Sequence, residues 1–217
     1  LVIAVTQSGE TADTLAALER AQRAGARTVA VTNVMGSTVA RKADDALFIR
    51  AGPEIGVAAT KTFSSQVIAL SLLSHRVSAD VTDSAPWDDP AAYYDALESL
   101  PDNVESVLDF ETAEEVADQF LGSDAFFFIG RGQAYPVAIE GALKFKEITY
   151  EHAEGFAAGE LKHGPLALVT PQTPVFTVVT GDDDETTVTN AQEAGTRGAP
   201  IVAVSPSDHK ITDVADA

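Results

Sequence analysis

Cysteine is absent from all 217 residues. Disulfides, thiolate nucleophiles and cysteine–metal sites are therefore excluded, and a reducing cytoplasm is the expected setting. Basic residues are also scarce. Fourteen Lys and Arg, only six of them Lys, face thirty-three Asp and Glu, giving a formal charge of −19. A field of that sign repels phosphodiester backbones and anionic lipid, so neither nucleic acid nor a membrane surface is an expected partner. No apolar run approaches the roughly 20 residues that cross a bilayer. The four histidines, His75, His152, His163 and His209, form no zinc-like or serine-hydrolase spacing, so no metal is expected.

The remaining composition is that of a folded domain: 45% hydrophobic residues can fill a core, and the length allows one large domain or two small ones. The carboxylates are spread along the chain with small clusters such as Asp182-Asp183-Asp184. That pattern suits a salt-adapted cytoplasm, where a carboxylate-rich surface stays hydrated. Any phosphate ligand must then be held by local donors, because the global field opposes it.

Hydrophobic periodicity alternates between strand and helix. Leu1 to Val5 reads as a β-branched strand of the buried type, followed by helical spacing at Ala12, Leu15, Leu18 and Ala21 and a stop at Gly25. Strands are expected at 28–31 and 46–49 with a short helix between them, then a long apolar helix over 61–77. Residues 78–90 read as a polar linker, and 91–121 as helix broken at Pro101. A fully apolar strand at 125–129, a helix over 135–150, and strands at 175–179 and 201–204 around another helix complete the series. Alternation of this kind predicts parallel βαβ units.

The two halves resemble each other. Ala21-Gln22-Arg23-Ala24-Gly25 leads into Thr28-Val29-Ala30-Val31, and Ala191-Gln192-Glu193-Ala194-Gly195 leads into Ile201-Val202-Ala203-Val204. Upstream in each copy a strand is followed by Glu-Thr, at Glu10-Thr11 and Glu185-Thr186. A duplicated αβ unit is expected, cut by the chain start in the first copy and by the chain end in the second.

Three constellations carry chemistry. Thr6-Gln7-Ser8-Gly9-Glu10-Thr11 links a strand to a helix, where a helix N-terminus and three hydroxyls can cradle a phosphate without lysine; an ordinary helix cap at Ser8 or Thr11 is the alternative. Its counterpart, Thr180 to Thr186, carries three aspartates that repel phosphate. On the helix after Tyr135, Glu140, Lys144, Glu147 and Glu151 share one face in a sequence apolar enough for a largely buried helix. Such carboxylates are either a solvated row of ion pairs or a tuned acid–base group. His163 lies in the glycine-bounded Gly159-Glu160-Leu161-Lys162-His163-Gly164-Pro165.

Four strings then carry a family resemblance: Ser-Gly-Glu-Thr-Ala-Asp-Thr at 8–14, Glu-Ile-Gly-Val-Ala at 54–58, Glu-Gly-Ala-Leu-Lys-Phe-Lys-Glu at 140–147, and Ala-Ala-Gly-Glu-Leu-Lys-His-Gly-Pro-Leu-Ala-Leu at 157–168. In that order they resemble the isomerase half of the glutamine–fructose-6-phosphate aminotransferases, built from SIS (sugar isomerase) domains. The resemblance implies an α/β fold of two flavodoxin-like SIS domains with parallel sheets flanked by helices, both truncated. The first would span 1–79, a helical connection 80–110, and the second 111–217. It implies a cytoplasmic homodimer, no cofactor, and conversion of fructose 6-phosphate to glucosamine 6-phosphate with glutamine-derived ammonia.

Carried over by position, Thr6, Gln7, Ser8 and Thr11 hold the phosphate, while Val57 and Ala59 lie against the sugar. Glu147 is the general base that moves a proton between C1 and C2, Lys144 and Glu140 support it, and His163 assists ring opening. Thr6 stands where the family commonly has serine, and Ala59 where a hydroxyl residue is common. The resemblance includes neither a glutaminase domain nor the family's C-terminal Schiff-base lysine, so sugar-phosphate binding or slow isomerisation is expected of these residues alone. A non-catalytic phosphosugar-binding SIS module and a sugar-phosphate deglycase are the competing readings.

Overall fold

The computed structural model describes residues 1–82, 89–108, 110–181 and 185–217. Asp182-Asp183-Asp184 and part of the 78–90 stretch lie outside the described residues. The chain divides into two compact units, Leu1–Val107 and Leu108–Ala217.

The first unit runs β1 (Val2–Thr6), α1 (Ala12–Arg23), β2 (Thr28–Thr32), α2 (Thr38–Lys42), β3 (Asp45–Phe48), α3 (Lys61–Thr82) and α4 (Pro90–Val107). Its three strands are parallel in the order β1-β2-β3, with Ala4 opposite Ala30 and Ala30 opposite Ala46. Leu18 of α1 and Val39 of α2 bury against Ala4 and Ala30 on one face. Helix α1 ends as its glycine predicts: Gly25 takes φ +81° and donates its N–H to the Gln22 carbonyl at 2.9 Å.

The second unit contains α5 (Phe110–Gln119), β4 (Phe126–Gly130), α6 (Ala134–Thr149), β5 (Ala153–Ala157), two 3-10 helices (Ala158–His163 and Pro165–Leu168), β6 (Val175–Val178), α7 (Glu185–Gly195), β7 (Ile201–Val204) and a last 3-10 helix, Lys210–Asp213. Its parallel strands lie in the order β5-β4-β6-β7. This is the doubly wound order in which connections leave β4 in opposite directions, placing a switch point between β4 and β6. Every residue of β4 is buried. Phe127 and Ile129 face Val175, Ile201 and the α7 alanines, while Phe126 and Phe128 face the Ala134, Ala138 and Ala142 stripe of α6. Both sequence repeats fold as a strand, a helix and an adjacent parallel strand: β1-α1-β2 and β6-α7-β7.

Several expectations are corrected. The 1–5 run is not a buried strand: β1 is the edge of its sheet, and Val2, Ile3 and Val5 are 37–39% exposed because no described strand flanks its free side. Pro101 does not break its helix. It sits inside α4, which buries no residue, so the carbonyl left without its donor can turn to water. The expected linker begins late, since α3 continues through Thr82. Strand β5 carries no periodic signal in the sequence. Ala-Glu-Gly-Phe-Ala has weak strand propensity, but pairing with the apolar β4 holds it, and Gly155 lets α6 approach: a Cβ there would lie 2.7 Å from the Ile139 Cα. Helix α6 is not largely buried either. Its alanine stripe is, but Tyr135, Val137, Ile139, Leu143 and Ile148 are 37–61% exposed.

Candidate functional site

Each unit carries its own set of candidate residues. In the first, the 6–11 loop leaves the carboxyl end of β1, the edge at which parallel α/β sheets bind ligands. Thr6 is buried and its Oγ1 accepts the Gly9 N–H at 3.2 Å; Ser8 Oγ accepts the Glu10 N–H at 3.3 Å. Gln7 is half-buried, and its carbonyl accepts the Asn33 N–H at 3.2 Å, fixing the loop to the end of β2. Thr11 is exposed and stands at the N-cap of α1, but its side chain makes no capping bond. The ordinary-cap alternative is therefore not what the structure contains. Helix α1, twelve residues long, presents first-turn N–H groups without a side-chain cap, beside three hydroxyls.

The fold itself requires glycine at position 9: φ is +71°, and a Cβ would fall 2.3 Å from Ser37 Oγ. The depression lined by Gln22, Gly25, Ala26, Arg27 and Asp44 lies at the opposite, amino-terminal edge of this sheet and takes no part in the loop.

The 54–60 loop is organised by a residue that sequence spacing did not single out. The Glu54 carboxylate accepts the Thr60 N–H and hydroxyl at 3.3 and 3.2 Å, and the Thr62 N–H and hydroxyl at 3.1 and 2.7 Å. The Thr62 hydroxyl, joined by the other donors, outweighs the opposing effect of burial and holds the Glu54 carboxyl below the usual carboxylate range. The clasp pins the start of α3 and lifts the intervening residues. Val57 is 91% exposed, Ala59 is half-buried, and Ala58 between them is buried. A Glu-to-Thr cap across six and eight residues follows no linear capping signature, which is why the sequence did not reveal it.

In the second unit, Glu140, Lys144 and Glu147 converge. Lys144 Nζ lies 2.6 Å from a Glu147 oxygen and 3.4 Å from a Glu140 oxygen, with side chains 19–31% exposed. The helix is set close to the sheet by Gly141, whose absent Cβ would lie 3.2 Å from the Phe128 ring. Desolvation opposes the Lys144 charge, but the hydrogen bond to Glu147 and the attraction of both carboxylates outweigh it, so the ammonium pKa is raised. Glu151 does not join this row. Tyr150 turns left-handed at φ 63° and ends α6 before it. His163 closes a 3-10 helix anchored by the fully buried Leu161; it is exposed and, among the described residues, makes no hydrogen bond or ion pair with the cluster. No group of acidic residues and histidines that could hold a metal ion occurs among the described residues.

The SIS domain model matches residues 1–76 and 120–214. The chain is 56% identical over 209 residues to the isomerizing glutamine–fructose-6-phosphate aminotransferase of Halobacterium salinarum, covering 94% of this chain and 34% of the relative. It therefore spans about a third of the length of the curated relatives it matches. The C-terminal domain of the glucosamine–fructose-6-phosphate aminotransferase from Francisella tularensis superimposes with a TM-score of 0.88 at 38% identity, covering 94% of this chain and 58% of that one. A glucosamine-6-phosphate deaminase from Thermotoga maritima shares the fold alone, at 23% identity and a TM-score of 0.73, over 94% and 60% of the two chains. The chain belongs to the SIS domain family and is homologous to the C-terminal isomerase region of the glutamine–fructose-6-phosphate aminotransferases.

Proposed function

We propose that the chain is two SIS-type domains handling fructose 6-phosphate for amination to glucosamine 6-phosphate, with phosphate binding in the first unit and proton transfer in the second. The carrying observation is the Glu140–Lys144–Glu147 cluster, a half-buried ammonium spanning two carboxylates on a rigid helix. In this reading Glu147 takes a proton from one of the adjacent sugar carbons C1 and C2 and returns it to the other. Lys144 keeps that carboxylate oriented between transfers, Glu140 holds Lys144 from the other side, and His163 assists ring opening.

Thr6, Gln7, Ser8 and Thr11 bind the phosphate through hydroxyls and the α1 N-terminus, which suits a chain with few lysines. Val57 and Ala59 contact the sugar from the clasped 54–60 loop. The working state is a cytoplasmic homodimer without a cofactor, and the −19 charge adapts it to high salt. Neither nucleic acid nor a membrane is a partner in this reading. Among the described residues no helix is long and apolar enough to cross a membrane. The deglycase alternative rests on a shared fold only.

The test follows, by NMR in molar salt, deuterium exchange at C1 of fructose 6-phosphate and deuterium incorporation at C2 of the aldose formed from it. Wild-type chain should catalyse exchange, and Glu147→Gln should slow it by about 10²-fold or more. Equal exchange by both would remove Glu147 from the reaction.

A further inference from the structure

Gln7 ties the 6–11 loop to the end of β2, and the two residues that phosphate binding leaves unused, Gly9 and Glu10, tie it to α2. The Gly9 carbonyl accepts the Val39 N–H at 3.0 Å, and a Glu10 carboxylate oxygen accepts the Thr38 N–H at 2.7 Å. Both donors belong to the first turn of α2, where N–H groups have no partner within the helix. Ser37 occupies the N-cap position of α2, the usual source of such a bond. Its hydroxyl nevertheless makes no capping bond, is 2% exposed and has no hydrogen-bond partner. The Ser37 side chain instead fills the space over Gly9, where a Cβ would lie 2.5 Å from its own Cβ.

The two segments thus exchange roles. Ser37 gives its volume to the loop, and Glu10 gives its acceptor to α2. Hydrogen bonds from the Thr38 side chain and backbone, aided by the Arg41 charge, hold the Glu10 carboxyl below its ordinary range, so the acceptor stays ionised. The destination of that carboxylate matters because Glu10 directly precedes Thr11, the N-cap of α1. A carboxylate free to swing there would compete with a phosphate for the positive end of α1.

We propose that Glu10 is a positioning residue of the phosphate loop: by capping α2 in place of Ser37 it fixes the 6–11 conformation and keeps its own charge away from the α1 N-terminus. The inference rests on the phosphate site proposed above.

Its test is calorimetric titration of fructose 6-phosphate into wild-type chain, Glu10→Ala, Glu10→Gln and Thr38→Pro in molar salt, together with amide exchange of Thr38 and Val39 without ligand. Proline is tolerated at the first position of a helix, so Thr38→Pro deletes the donor without touching the loop. Glu10→Ala and Thr38→Pro should each weaken binding about tenfold, the scale of one charge-assisted hydrogen bond. Glu10→Gln keeps an acceptor and should stay near wild type, while the Thr38 and Val39 amides exchange faster in Glu10→Ala alone of the two Glu10 variants. Wild-type affinity in Glu10→Ala would overturn the inference, as would a loss that Glu10→Gln fails to rescue. A folded wild-type chain that does not bind at all overturns the phosphate reading itself, and the inference with it.

Discussion

The two copies of the repeated βαβ unit have similar sequences and different surroundings. In the second unit β6 lies between β4 and β7, and Val175 and Thr177 are fully buried. In the first unit the corresponding β1 is an edge, and Val2, Ile3 and Val5 each keep more than a third of their surface exposed. A run of β-branched residues therefore specifies a strand, and its neighbours specify how much that strand is worth. The copies also differ in their loops. The first carries the hydroxyls of Thr6, Ser8 and Thr11 and turns its one carboxylate to α2, whereas the second carries Asp182, Asp183 and Asp184 outside the described residues.

The comparison is broken most severely by emptying the better-packed core. Phe127→Ala, at a ring 1% exposed among Val175, Ile201 and α7, should cost about 3–5 kcal/mol in urea unfolding, whereas Ile3→Ala should cost under about 1 kcal/mol. Comparable losses at the two positions would mean that β1 is covered in solution.

A smaller effect comes from placing the second loop's chemistry in the first. Ser8→Asp should weaken fructose 6-phosphate binding by about tenfold or more through like-charge repulsion, with little change in thermal midpoint because the site is half-exposed. Retained affinity would move the phosphate elsewhere.

The two units should also fail at opposite ends of the pH scale. In the first, Glu10, Asp44 and Glu54 all have lowered pKa values, chiefly from hydrogen bonds donated by Thr38, Thr28 and Thr62. Their contribution is complete above the ordinary carboxylate value of about 4 and is lost as pH falls through the lowered ones. In the second, Lys144 is raised. Its contribution is complete below the ordinary lysine value of about 10.4 and is lost as pH rises through the higher one. Backbone NMR shifts followed from pH 7 in both directions should change around Thr38 and Thr62 only after acid has passed the ordinary carboxylate value, and around the Lys144 ammonium only after base has passed the ordinary lysine value. Changes at the ordinary values would contradict the assignment of these clusters. The smallest effect is expected from Glu151→Gln, which should leave deuterium exchange into the sugar unchanged, because residue 151 lies beyond the end of α6.

Strand and helix periodicity made most of both units legible, including the repeat and the Gly25 stop. The loops and the Glu140–Lys144–Glu147 row were legible because each is contiguous or falls at helical spacing. What escaped was set by tertiary pairing. Strand β5 exists through β4 and the close approach at Gly155. The donor to Glu10 lies 28 residues away on α2, and Glu54 reaches forward to Thr60 and Thr62 without a recognised capping pattern. Apolar composition does not give burial at β1 and on the outer face of α6, because composition does not state which faces have neighbours.

The division of labour between the two units is tested most directly by isothermal titration of the chain with fructose 6-phosphate in molar salt, with Ser8→Ala and Glu147→Gln in parallel. Weakened binding in Ser8→Ala and near-wild-type binding in Glu147→Gln is the predicted result, because the proposed reading gives phosphate binding to the 6–11 loop and proton transfer to Glu147. Undiminished binding in Ser8→Ala, or its loss in Glu147→Gln alone, would contradict the account.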